Sequence, residues 1–328
     1  MATYAISDIH GAYEEFMRLL RKINFHYDGS DTLYLLGDYG DWGLMSMETI
    51  LKVKEMDEQY PFVHCVMGNH EEMFLDTLHS GYRGGSDPGP QALNWLYGNR
   101  GRGTFEAFLS MDRAAQDDLT GWLESLRLSF DAEAGGVHYM LAHAYPYYYD
   151  VQYSEREALR HRTDALWRRL LIRENPFGAY RGDRHYDMLI CGHTISDYYY
   201  QQLRLERNWP YRKPAQSVRN RIFRGEMFTD IDCGAKCMDF VPEENEIIHT
   251  AALRAQLAAL RLDDGESFYV HRPAAQSACI ELPSVSVPDL HLREYLQDFH
   301  IPAVHFQEMA APVLRQAQEA AKKIMGED

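Results

Sequence analysis

Near the start of the chain, short apolar runs alternate with longer amphipathic stretches. Residues 3–6 read as a strand, 13–23 as an amphipathic helix, 32–36 as a second strand, 44–59 as a second helix and 62–67 as a third strand, with another helix opening near Glu71. This alternation predicts parallel strands covered by helices, because a parallel pair needs a crossover long enough to hold a helix. Further strands are expected at 137–142, 188–191, 227–231, 257–262 and 267–270, and the last two flank the turn signal Asp263-Asp264-Gly265. A helical pattern also covers 154–172. Residues 81–90 are rich in Gly and Pro and read as a loop. Residues 197–225 are aromatic and basic (Arg204, Arg207, Arg212, Lys213, Arg219, Arg221, Arg224), are interrupted by Pro210 and Pro214, and read as an insertion. Past Pro273 a Pro- and Ser-rich linker leads to helical patterns at 290–299 and 307–325. The expected organisation is a main domain over 1–272 and a linker with a helical tail over 273–328.

At the carboxyl end of nearly every core strand so read, a short group of Asp, His or Asn sits beside Gly. The groups are Ser7-Asp8-Ile9-His10-Gly11, Gly37-Asp38-Tyr39-Gly40-Asp41-Trp42-Gly43, Gly68-Asn69-His70-Glu71, His143, and Gly192-His193-Thr194. Asp8 and His10 are two positions apart, so in an extended segment both side chains point one way and reach one ion together. Ligands of open α/β sheets gather just past the carboxyl ends of the strands. Each group alone is an ordinary turn or capping pattern; five arriving at one edge point to a metal centre. Carboxylates, an amide oxygen and imidazoles suit Mn, Fe or Zn better than Ca or a soft-metal site.

The chain has 328 residues, 45% hydrophobic and 25% charged, which excludes a disordered, collagenous or disulfide-stapled class. No apolar run approaches the length of a membrane span, and residues 1–8 lack the basic and apolar regions of a secretory signal. The five cysteines, Cys65, Cys191, Cys233, Cys237 and Cys279, are scattered through apolar stretches and read as reduced thiols of a cytoplasmic protein. The formal charge of −16 argues against general nucleic-acid binding. It does not argue against a phosphate-processing site built on cations, which dominate their own surroundings.

These motifs resemble those of the calcineurin-like metallophosphoesterases, and among them the phosphoprotein-phosphatase-type branch with its bacterial serine/threonine phosphatases and diadenosine tetraphosphatases. The resemblance runs from Met1 to about Val270. It implies a mixed α/β (α+β) four-layer fold, a two-sheet β-sandwich flanked by helices, here with a C-terminal helical extension. It also implies two divalent metal ions, Mn first, with Fe, Zn, Ni or Mg as alternatives. By position, Asp8, His10 and Asp38 would bind one ion, and Asp38 would bridge to a second, completed by Asn69, His143 and His193. His70 would be the general acid, oriented by Asp41, while a hydroxide between the ions attacks phosphorus in line. Asn69 would also border the substrate.

Two positions bear on the substrate. The branch carries an Arg after the second motif's Asp to grip phosphate; Trp42 stands there instead, and an indole offers stacking rather than a charged fork. Trp167-Arg168-Arg169 places Arg169 in register with a second anion-binding Arg of the branch, while helical periodicity alone would put it on a solvated face. Ser7 replaces the usual Gly of the first motif. Residues 230–234 (Asp-Ile-Asp-Cys-Gly) read as a structural strand and turn, Cys233 and Cys237 as packing residues, and the tyrosines of 145–149 as a cleft lining. The expected activity is phosphomonoester hydrolysis of the serine/threonine phosphatase kind. The alternatives are a phosphodiesterase or dinucleoside polyphosphate hydrolase, favoured by Trp42, and a catalytically weak metal-binding scaffold. The expected partners are a phosphorylated small molecule, nucleotide or phosphoprotein, no membrane, and a second copy of the chain through the C-terminal helices.

Overall fold

The computed structural model describes residues 1–84, 88–206, 219–239 and 254–272. Its first part runs β1 (Thr3–Ile6), α1 (Tyr13–Lys22), β2 (Thr32–Leu35), α2 (Ser46–Gln59), β3 (Val63–Cys65) and α3 (Asn69–His79). A helical hairpin region follows: α4 (Gly89–Leu93), a π-helical turn (Asn94–Gly98), α5 (Arg102–Leu109) and α6 (Arg113–Ser125). The second part holds β4 (Ser129–Ala134), β5 (Val137–Ala142), α7 (Glu155–Trp167), β6 (Met188–Cys191), α8 (Asp197–Glu206), β7 (Phe223–Arg224) and β8 (Phe228–Asp230). A 3-10 turn (Ala235–Cys237), β9 (Leu257–Arg261) and β10 (Ser267–Val270) complete the described chain.

The strands form two five-stranded sheets, β10-β9-β1-β2-β3 and β4-β5-β6-β8-β7. In the first, β1, β2 and β3 are parallel, with β9 antiparallel to β1 and β10 antiparallel to β9; in the second, β5, β6 and β8 are parallel, and the edge strands β4 and β7 are antiparallel to their neighbours. The two sheets face each other across one apolar layer. Ala5, Tyr34 and Leu36 from one side meet Leu141, Ile190 and Ile231 from the other, with Ala258 and Leu260 of β9 in the same layer. Strand alternation then turns Met140, Ala142, Leu189 and Cys191 to the outer face, where Tyr145, Tyr148, Leu170 and Tyr186 cover them. On the first sheet, α1 buries Phe16, Leu19 and Leu20, spaced for one helical face, and packs against β9 and β10. Because the parallel strands of each sheet share a direction, their carboxyl ends come to one rim.

Several expectations change. The helix expected over 154–172 ends at Trp167, so Arg168 and Arg169 lie past its last turn. The edge strands β4 and β7 and the helices between Gly89 and Ser125 were not anticipated. The run Ser129–Ala134 buries only its two ends, a pattern too weak to announce a strand. Phe223 and Arg224 pair with β8, so the segment 197–225 is in part a sheet edge rather than wholly an insertion. Its residues 207–218, Cys279, and the linker and helical tail of 273–328 lie outside the described residues. Among the described residues no helix is long and apolar enough to cross a membrane.

Candidate metal centre

The rim of carboxyl ends gathers side chains from five loops. Asn69 Oδ1 lies 2.9 Å from His143 Nε2 and 2.9 Å from His193 Nδ1, and those two nitrogens are 3.2 Å apart. The outer ring nitrogens of both histidines meet backbone carbonyls, His143 Nδ1 at 2.8 Å from Leu36 O and His193 Nε2 at 3.1 Å from Trp167 O. Each N–H is therefore used outward, and the inner nitrogens present lone pairs. Three acceptor atoms within about a hydrogen-bond length, with no proton between them, repel one another unless a cation sits among them. That arrangement fits a metal ion. His10 repeats it: Nδ1 faces Gly40 O at 3.1 Å, and Nε2 lies 3.5 Å from Asp38 Oδ2 and 3.8 Å from Asp8 Oδ1.

Asp38 belongs to both sides. Its Oδ1 is 3.5 Å from His143 Nε2 and its Oδ2 is 3.5 Å from His10 Nε2. Two groups of potential ligands thus share it, one with His10 and His70 and one with His143 and His193. Burial alone would raise its pKa, but His143, His70, His10 and His193 overcompensate and hold the carboxyl well below the ordinary range. Asp8 goes the other way: burial, then Asp232 and Asp38, push its pKa well up. It accepts the Ser7 hydroxyl and the His193 backbone N–H.

These loops reach the centre through strained backbone. Asp8, His10, Asp38, Asp41, Trp42 and His193 all have φ between 48° and 68°, where side chains other than Asn, Asp and His are rare. The convergence of Asp8 and His10 therefore comes from left-handed turn residues and not from the strand alternation first expected. Strain of this kind costs on the order of 1 kcal/mol per residue and persists where surrounding contacts over-determine it. Two glycines show how tight those contacts are. A Cβ at Gly192 would collide with Asp8 and Ser7 Oγ, and one at Gly68 would collide with the Asp38 carboxylate.

His70 sits on the first turn of α3 beside this cluster. Its Nδ1 is 2.6 Å from Asp41 Oδ2, and its Nε2 faces Asp38 Oδ2 at 3.9 Å. Burial lowers its basicity, yet Asp38 and then Asp41 more than offset this, so its pKa is raised. Asp41 itself accepts from Trp95 Nε1 and Thr104 Oγ1, both at 2.6 Å.

Trp95, Thr104, Glu71 and Lys236 escaped the sequence reading. Trp95 and Thr104 lie more than fifty positions from Asp41, in a helical region with no polar motif to mark them. Glu71 carried a visible signal, an acid in the first turn of α3. Its carboxylate accepts the N–H groups of Gly68, Asp38 and Tyr39, each at 2.9 Å, and so ties two ligand loops together. Burial, then Asp38, pushes its pKa up to about 7. Arg169 donates to Thr194 Oγ1 at 3.2 Å, beside His193, whereas Arg168 stacks on Tyr145 and pairs with Glu174. Trp42 is only 8% exposed, with Arg100 and Lys236 within cation–π range of its ring. Tyr145 and Tyr148 are buried against the outer face of the second sheet, while Tyr149 stays half exposed.

A stretch of 71 residues is 44% identical to the symmetrical bis(5'-nucleosyl)-tetraphosphatase of Citrobacter koseri, covering 22% of this chain and 24% of that protein. The enzyme of the same description from Escherichia coli K12 is 42% identical over 71 residues with the same coverage. The match thus spans about a quarter of the length of these relatives. Among solved structures, a metallophosphoesterase from Sphaerobacter thermophilus aligns at 16% identity and TM-score 0.42, covering 83% of this chain and 88% of that one. A cold-active protein-tyrosine phosphatase from a psychrophilic Shewanella aligns at 15% identity and TM-score 0.44, covering 82% and 80%. The sequence signature described as calcineurin-like phosphoesterase fits residues 1–197. With all five of these loops inside that span, the chain belongs to the calcineurin-like phosphoesterase family.

Proposed function

We propose that this chain is a dinuclear metal-dependent phosphoesterase, most simply a serine/threonine phosphatase-like phosphomonoesterase. The observation that carries the reading is the shared position of Asp38 between two groups of inward-facing acceptors, with the His70–Asp41 pair beside them. Asp8, His10 and Asp38 would hold one divalent cation, and Asp38, Asn69, His143 and His193 a second. Mn is the first choice, with Fe, Zn, Ni or Mg as alternatives. Such cations, when bound, acidify water and neutralise phosphoryl oxygens.

The protein's own groups do the rest. His70, whose protonated form Asp38 and then Asp41 favour, gives its Nε2 proton to the departing oxygen. Trp95 and Thr104 hold Asp41 so that the imidazole cannot turn away. Arg169, next to Thr194, would donate to phosphate oxygens as a charged fork. The four described cysteines are buried and none pairs with another in a disulfide, in keeping with a reducing, cytoplasmic setting.

A dinucleoside polyphosphate hydrolase is the second reading, favoured by the local similarity to the tetraphosphatases. The test is chelated protein reloaded with Mn²⁺ and given p-nitrophenyl phosphate, bis-p-nitrophenyl phosphate, a phosphoserine peptide and diadenosine tetraphosphate. The first reading expects metal-dependent turnover of the monoesters well above the diester and the dinucleotide. Preferential cleavage of diadenosine tetraphosphate selects the second, and turnover that survives complete chelation overturns both.

A further inference from the structure

A sixth strand end reaches the rim. β8 runs parallel to β6, and past it come Asp232, Gly234 and the 3-10 turn that carries Lys236. Gly234, at φ 82°, reverses the chain while its N–H is taken by Asp232 Oδ1 at 2.7 Å. Past the reversal, Lys236 comes to lie against Trp42, the residue after Asp41. Lys236 is 8% exposed, an unusual burial for an ammonium, which ordinarily stays hydrated. Its Nζ lies 5.5 Å from the centre of the Trp42 ring, in the range of cation–π attraction. Trp42 follows Asp41, and Asp232 O accepts the Ser196 N–H at 2.8 Å, three residues past His193, so the turn and the ring it meets link the end of β8 to two loops of the centre. Nearby, Asp232 Oδ2 is buried without a hydrogen-bond partner.

These placements account for the residue at position 42. An arginine there would bring a second fixed charge against Lys236. An indole instead gives the ammonium an electron-rich shelf, supplied by a residue far away in sequence.

We infer that Lys236, seated against Trp42, is a substrate-binding residue that contacts a non-bridging oxygen of the phosphoryl group. The inference rests on the phosphoesterase reading and adds to it a cation that the sequence motifs do not contain. An ammonium is a point charge and not a bidentate fork, so it favours a terminal, dianionic phosphate while imposing little orientation.

The experiment uses the full chain loaded with Mn²⁺ in four forms: wild type, K236M, W42R and the W42R/K236M double variant. Inorganic phosphate binding is measured by titration calorimetry, alongside KM and kcat for p-nitrophenyl phosphate and the thermal midpoint. K236M is expected to weaken phosphate binding about 10- to 100-fold, the worth of one charged hydrogen bond, with KM raised and Mn²⁺ affinity kept. The double variant should recover most of that loss, because the arginine then meets the anion with no ammonium beside it, whereas W42R alone should gain nothing. If K236M binds phosphate as tightly as wild type, the inference is overturned whether or not the protein turns over ester. A lowered midpoint with unchanged phosphate affinity also overturns it and assigns Lys236 to loop packing. Phosphate binding that depends on Lys236, in a protein that cleaves none of the esters, would support the inference while rejecting the hydrolase reading.

Discussion

Replacing Asp41 by Asn is the sharpest probe of the proposed proton donor, His70. The carboxylate receives three donors at 2.6 Å, His70 Nδ1 and Trp95 Nε1 on Oδ2 and Thr104 Oγ1 on Oδ1. In D41N the amide oxygen can keep the Oδ2 place, and the new NH₂ faces Thr104, whose hydroxyl can rotate to accept. The fold should therefore persist, with a stability loss of about 1 kcal/mol. What changes is the charge behind His70. Exchanging a charge-assisted hydrogen bond for a neutral one forfeits about 1–2 kcal/mol, or roughly 5- to 30-fold in rate if the imidazolium is in the transition state. That loss should fall on poor leaving groups. A phosphoserine peptide, whose alkoxide must be protonated as it leaves, should show the full decrease in kcat. p-Nitrophenyl phosphate, whose leaving group needs little help, should change by less than about threefold. Equal losses on both substrates would refute the assignment of Asp41 to the proton donor and place its effect in the metal site or the fold. An unchanged phosphoserine rate would refute the role of the pair altogether.

Glu71→Ala should destabilise the protein by about 3 kcal/mol or more in urea unfolding, since it strands three buried N–H groups; a change under about 1 kcal/mol would mean the ligand loops hold without it. Arg169→Met should raise KM for a phosphomonoester about tenfold or more, while Arg168→Met, which loses contacts to Tyr145, Glu174 and Asp164, should leave KM within about twofold. Equal effects would show that Arg169 does not face the substrate. Mn²⁺ at about a hundred times its dissociation constant should stabilise the chelated protein by about 2.7 kcal/mol in a thermal melt, and His143→Ala should abolish most of the shift. A shift that survives that substitution would place the cation elsewhere.

Much of the site was legible because its chemistry is local. Asp8-Ile9-His10-Gly11, Gly37-Asp38 and Gly68-Asn69-His70 each sit one turn past an apolar run, and the runs themselves fix strand identity. The glycines that permit close approach of the loops stand beside the ligands in the sequence. Even so, the geometric reason assigned to Asp8 and His10 was incorrect. Alternation along a strand was expected, and left-handed backbone brings them together. Arg169 also waited on the structure, because the helical pattern gave no sign that the helix stops at Trp167.

By itself the sequence determined the order of strands and helices from β1 to α3 and the candidate ligand residues beside their glycines, since periodicity and motif spacing are properties of neighbours along the chain. Only the tertiary structure decided that Asp41 is held by Trp95 and Thr104, that Glu71 ties two loops together, and that Lys236 comes to rest against Trp42. Those contacts join positions from 32 to nearly 200 apart. They exist because two sheets with parallel central strands bring their carboxyl ends to a common rim, and no local pattern records which distant side chain meets another there.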